Sequence, residues 1–146
     1  MIAVDTNILV YAHRPDSTWH KAAAARIKAL CEGPTSWLLP WPCIHEFLSV
    51  VTNPRVFANP TPPQRALQQV EYWAATPSLV IATESARHLQ TLAGVVLDGT
   101  AFGGRIHDAR VVAICLDHGV GELWSADRDF SRFPALKTHN PLVGTP

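Results

Sequence analysis

The stretch Met1-Ile2-Ala3-Val4-Asp5-Thr6-Asn7-Ile8-Leu9-Val10 decides the fold. Its first apolar residues read as a short strand, Ile2 to Val4, and Asp5, Thr6 and Asn7 then open a helix. The arrangement returns late in the chain. Glu122 to Ser125 reads as a strand, and Asp127 follows it in Trp124-Ser125-Ala126-Asp127-Arg128-Asp129-Phe130. In open parallel sheets ligands gather at the carboxyl ends of strands, so these two acids are placed to converge.

Between them, short apolar runs alternate with segments of helical period, the pattern of an α/β fold. Trp37 to Leu39, Leu79 to Ala82 and Leu136 to Thr138 complete the expected strands. Ile44, Phe47, Leu48 and Val51 recur at helical spacing and predict a helix over Pro42 to Thr52, stopped by Pro54. Leu67, Val70, Glu71 and Ala74 mark another helix, with Thr61 expected as its N-cap. Thr83 is expected to cap a helix whose buried stripe is Ala86, Leu89, Leu92, Ala93 and Val96. Ile106, Ala109, Val112, Ala113 and Leu116 mark a further helix, ended by Gly119. Thr18 to Leu30 is helical by propensity. The proline-rich segment Asn53 to Pro63 is expected to be an exposed, stiffened loop, and Asp98 to Gly104 a mobile one. Neither divides the chain, so residues 1–146 are expected to form one domain.

Composition narrows the function classes. The chain has 146 residues, 47% of them hydrophobic, which excludes a disordered tail protein. No run approaches the roughly 18 to 20 apolar residues of a membrane span, and no basic region precedes an apolar signal segment. The strand follows Met1 directly, so the protein is expected to start there and to remain in the cytoplasm. Three cysteines, Cys31, Cys43 and Cys115, make no CxxC pair, which argues against a disulfide or zinc framework. Twelve basic residues balance twelve acidic ones, and nine of the twelve basic residues are arginine.

The residues that carry chemistry are acids at the ends of elements. Asp5 and Asp127 follow strands, Asp108 lies in a first helical turn, and Glu46 lies on a helix face away from Ile44 and Phe47. Each has a structural role open to it. Asp5 and Asp127 could cap helices, Asp108 favours a helix dipole, and Glu46 could be solvated. An acid beyond each of the two clearest strands, with two more on helices between them, favours convergence. Two carboxylates about 5 Å apart repel by roughly 3 kcal/mol at an effective dielectric of 20. A cluster must therefore hold protons or bind a cation. Oxygen ligands without histidine or cysteine select Mg²⁺ or Mn²⁺ over zinc. Such a site suits phosphodiester hydrolysis.

The opening Met1 to Val10, Glu46 after the second strand, Ile106-His107-Asp108-Ala109, and Ser125 to Phe130 together resemble PIN-domain proteins, in particular VapC-type toxins of toxin–antitoxin pairs. The resemblance spans nearly the whole chain. It implies a three-layer α/β/α sandwich with a mostly parallel sheet, and a Mg²⁺- or Mn²⁺-dependent ribonuclease. It implies Asp5, Asp108 and Asp127 as metal ligands, Glu46 as a catalytic residue that holds metal-bound water or acts as base, and Thr6, Asn7 and Ser125 as residues orienting them. Asp129 would be a variable fifth acid. A homodimer, an RNA substrate and a cognate antitoxin follow as expected partners. Ser125, where the family often has threonine, and the proline-rich loop depart from the pattern.

Arg14, Arg110 and Arg128 are candidate contacts for RNA phosphates or partners of the acids themselves. Trp37, Trp41, Trp73 and Phe57 could stack on bases or sit in the core. A haloacid-dehalogenase-like phosphatase also places Asp after its first strand but wants a second Asp where Asn7 stands. A non-catalytic RNA-binding scaffold is the third reading. Neutrality does not oppose an RNA partner, because four or five of the twelve acids fall in one cluster and leave the remaining surface net positive.

Overall fold

The computed structural model describes residues 1–143. Its strands are β1 (Ile2–Val4), β2 (Trp37–Pro40), β3 (Leu79–Ala82), β4 (Glu122–Trp124) and β5 (Lys137–His139). They form one sheet in the order β3-β2-β1-β4-β5, and every neighbouring pair is parallel. The inner strands β1, β2 and β4 are short, apolar and largely buried, as a parallel sheet covered by helices requires, while the edge strands β3 and β5 are partly exposed.

The helices are α1 (Thr6–His13), α2 (His20–Glu32), α3 (Trp41–Val51), α4 (Pro63–Ala74), α5 (His88–Asp98) and α6 (Arg105–Asp117). Side chains alternate along each strand and divide the core in two. Ala3, Leu38 and Leu123 face Val112, Ala113 and Val95 of α6 and α5. Val4, Trp37, Leu39 and Trp124 face Ile8, Ile27, Phe47 and Trp73 of α1 to α4. The result is a three-layer α/β/α sandwich. Helix α6 is buried continuously from Val111 to Cys115, as an all-round apolar helix between sheet and α5 must be. Gly119, at φ +73°, turns the chain out of α6 as expected.

Two expected caps are corrected. Helix α4 starts at Pro63 behind Pro62, and Thr61 is not its cap. The Thr61 side chain is buried between His13 Nε2, at 3.0 Å, and Arg14. Thr83 donates to Glu84, and α5 begins only at His88. The reason lies at the end of the neighbouring α6: Ser85 and Thr91 both donate to Asp117, at 2.7 and 2.6 Å, and hold residues 83–87 as a turn. The expected stripe changes with it. Ala86, Leu89 and Ala93 are exposed, and α5 packs through Leu92, Val95 and Val96. Among the described residues no helix is long and apolar enough to cross a membrane.

Candidate active site

Strand order reverses at β1: β2 and β3 lie to one side, β4 and β5 to the other. The crevice at the carboxyl ends of β1 and β4 is the place where such sheets bind ligands. There the Asp5 N–H donates to the Trp124 carbonyl at 2.9 Å, which fastens the two strand ends together.

Asp5 is 6% exposed and makes no side-chain capping bond to α1. Its Oδ2 accepts from the Ser125 hydroxyl at 2.7 Å and from Asn7 Nδ2 at 3.2 Å. Cys43 Sγ lies 3.6 Å from Oδ1. The Ser125 hydroxyl spends its one proton on Asp5 and accepts from Asn7 Nδ2 and from the Asp127 N–H. Asn7 Oδ1 in turn accepts from the Ala126 N–H at 3.1 Å. Asn7 and Ser125 thus hold the first acid, and the amide at position 7 donates to its carboxylate. A second aspartate there could not donate while ionised, which sets the phosphatase reading aside.

Glu46, on α3, is fixed through Oε2, 3.1 Å from the Thr6 hydroxyl, which also lies 3.2 Å from the Cys43 carbonyl. Asp127 does cap the following 3-10 turn, accepting from the Asp129 N–H at 2.8 Å, and it also lines the cleft. Asp108 reaches the cleft from the first turn of α6. Asp5, Glu46, Asp108 and Asp127 all line one cleft of about 320 Å³. Asp5, Glu46 and Asp108 also line an adjoining recess with His45, His107 and Arg110, so the acids stand where the two meet.

Electrostatics report the same convergence. Burial pushes the Asp5 carboxyl up to about 6, against the Ser125 hydrogen bond that lowers it, and the Glu46 charge adds to the rise. Burial also raises Asp108, followed by the charges of Asp127, Asp129 and Glu46, with Arg105 acting against them. Acids that raise one another's pKa favour either shared protons or a cation. Among the described residues no three His, Cys, Asp or Glu side chains close onto a single point. The carboxylates therefore line the cleft without forming a closed ligand shell. The donors are hard oxygens, the set that suits Mg²⁺ or Mn²⁺ with water completing the coordination.

The PIN domain family model matches residues 2–136. The chain is 38% identical over 144 residues to the VapC ribonuclease Mb2897 of Mycobacterium bovis, covering 99% of this chain and 97% of that protein. Ribonuclease VapC43 of Mycobacterium tuberculosis matches to the same extent. This chain belongs to the PIN-domain family as a VapC-type ribonuclease. The fold agrees with that of solved structures. FitAcB from Neisseria gonorrhoeae superposes with a TM-score of 0.70 at 16% identity, covering 98% of this chain and 99% of that one. VapC20 of Mycobacterium tuberculosis, described as a sarcin–ricin loop cleaving toxin, gives 0.64 at 16% identity over 90% and 93%.

Within this PIN domain the remaining candidates separate. Asp129 is exposed, lies 3.5 Å from Arg105 and does not line the cleft. Arg110 pairs with Glu84 and lines the recess beside the acids. Arg128 is exposed on the 3-10 turn. Arg14 is a correction: it is 8% exposed and its fork is committed to Asp16, the Asn59 carbonyl and Thr61, which leaves it no phosphate to hold. Trp37 and Trp73 are core residues, whereas Phe57 lines the cleft. Two residues escaped the sequence reading. Cys43 sits beside Asp5, with no signal beyond its place in an apolar helix. Arg105, one turn before Asp108 on the same helix, was open to inference from that spacing.

Proposed function

We propose that this VapC-type ribonuclease is the toxin of a cytoplasmic toxin–antitoxin pair and hydrolyses RNA phosphodiester bonds at the acid cleft with Mg²⁺ or Mn²⁺. The observation that supports this is the meeting of Asp5, Glu46, Asp108 and Asp127 in one cleft at the switch point of the sheet. Asp5, Asp108 and Asp127 would hold the cation by closing around it from the open arrangement they have in the cleft. Once bound, it would neutralise the carboxylates, polarise the phosphate and acidify the attacking water.

The protein's own groups supply the rest. Ser125 and Asn7 fix the Asp5 carboxylate, so little reorganisation is needed when substrate arrives. Glu46, anchored through Oε2 by Thr6, keeps its other oxygen to accept a proton from the attacking water. The water oxygen adds to phosphorus, one P–O ester bond breaks, and the departing oxygen takes up a proton. Arg105 Nη1, buried and 3.5 Å from Asp129 Oδ1, offsets the charge of the acids around Asp108.

Two further partners follow from family membership and stand as proposals. A cognate antitoxin would block the cleft with a basic side chain, and two copies of the chain would pair as a homodimer. The decisive test incubates the purified protein with structured RNAs in Mg²⁺, in Mn²⁺ and in EDTA, beside Asp5→Asn and Asp108→Asn. Cleavage that requires the cation and both carboxylates is expected. Cleavage that survives EDTA or either substitution would sink the mechanism.

A further inference from the structure

We propose that the loop of residues 53–62, locked in place by Arg14, is a substrate-recognition wall whose Val56 and Phe57 take an unpaired nucleobase beside the acid cleft. The proposal deepens the ribonuclease reading and rests on it. Arg14 follows the last turn of α1 and reaches across to the loop. Its Nε and Nη2 grip both oxygens of Asp16, at 2.9 and 2.6 Å. Its Nη1 donates to the Asn59 carbonyl at 2.7 Å and lies 3.3 Å from the Thr61 hydroxyl. The guanidinium carbon stands 4.1 Å from the centre of the Phe57 ring. A planar fork that binds a carboxylate and a carbonyl while covering an aromatic face is a use only arginine serves.

His13 adds a second tie, with Nδ1 3.0 Å from Gln69 and Nε2 3.0 Å from Thr61. The Thr61 N–H donates to the Val51 carbonyl, and the N–H groups of Val56 and Phe57 both donate to the Asn53 carbonyl. The loop is therefore fastened at both ends and at its middle. What this fastening presents is apolar. Val56 is 55% exposed and lines the cleft with Phe57, alongside the four carboxylates. An RNA strand whose phosphate lies at the acids places a sugar and base next to that wall, and the base is the part an apolar surface can take. Arg14 is a positioning residue in this scheme, acting through Phe57.

The test measures binding by fluorescence anisotropy in calcium buffer. The probes are a short single-stranded RNA of random sequence and a ribose-phosphate chain of equal length without bases. The wild type is expected to bind the RNA about fivefold or more tightly than the abasic chain. Phe57→Ala and Arg14→Gln should each remove that preference while leaving affinity for the abasic chain unchanged, and Phe57→Tyr should restore it. Val56→Ser, at an exposed position that leaves packing intact, should weaken the preference in a protein with unaltered melting. Equal affinity of the wild type for the two chains, including no measurable binding to either, overturns the proposal. So does an Arg14→Gln loss that is equal for both chains, because Arg14 would then hold phosphate directly. RNA that is bound with this preference but never cut in Mg²⁺ or Mn²⁺ would instead refute the ribonuclease mechanism and leave the wall standing.

Discussion

Replacing Asp5 by asparagine should make the protein more stable while abolishing its activity. Asp5 is buried, and its carboxyl is raised from 3.8 to about 6. That rise corresponds to about 3 kcal/mol of penalty on the ionised form in the folded state. The sign follows from proton binding. Between about pH 4 and pH 6 the native protein holds the Asp5 proton and the unfolded chain has released it. Stability therefore falls as pH rises through that window and stays low above it. Asparagine keeps an oxygen for Ser125 and Asn7, turns an amide toward Cys43, and carries no charge. In EDTA at pH 7, Asp5→Asn should gain about 2–3 kcal/mol, a rise in melting temperature of about 4–12 °C. Near pH 4 the difference should shrink to about 0.5 kcal/mol, because the unfolded chain then also begins to hold the proton. Adding Mg²⁺ should raise the midpoint of the wild type more than that of the variant. Thermal melts across pH 4 to 8, with EDTA and with Mg²⁺, supply all of these comparisons. An Asp5→Asn protein less stable than wild type at pH 7, or a gap that does not change with pH, would refute the reasoning.

Two other predictions test the neighbourhood of that acid. Asn7→Asp replaces a donor 3.2 Å from Asp5 with a second carboxylate and also removes a hydrogen bond to Ser125. It should destabilise the protein by about 2–4 kcal/mol in EDTA at pH 7, read by urea unfolding, with much of the loss recovered in Mg²⁺. An unchanged urea midpoint would show that Asn7 does not support Asp5. For the antitoxin, replacing the basic side chain that enters the cleft with alanine should release nuclease activity from the purified complex. Undiminished inhibition would place the block elsewhere.

What the sequence made legible follows from local chemistry. The runs Ile2-Ala3-Val4 and Trp37-Leu38-Leu39 are too apolar for a surface, and α3 repeats its apolar residues at helical spacing, so sheet and helix both declare themselves. The acids were readable for a related reason. Asp5 and Asp127 stand one and three residues beyond β1 and β4, and a parallel sheet brings those ends side by side. What escaped depends on partners distant in sequence. Thr61 and Thr83 have the chemistry of N-caps, but His13 and Arg14 claim the first, and Asp117 repositions the turn after the second. Arg14 has the look of a phosphate contact until the Asn59 carbonyl, 45 residues away, is known to occupy it. The proline content of the 53–62 loop announced stiffness but could not announce which side chains it aims at the cleft.

The hydrogen bond between Ser125 and Asp5 joins residues 120 positions apart. The acid cleft therefore does not exist in an incomplete chain. During synthesis Asp5 emerges first and waits, unpaired, for β4 to dock beside β1 and bring Asp127 to the cleft. Such a chain cannot cut RNA near the ribosome that is making it. A toxin whose catalytic centre closes only when β4 docks beside β1 gains its hazard late in folding, and that is when its antitoxin must already be at hand.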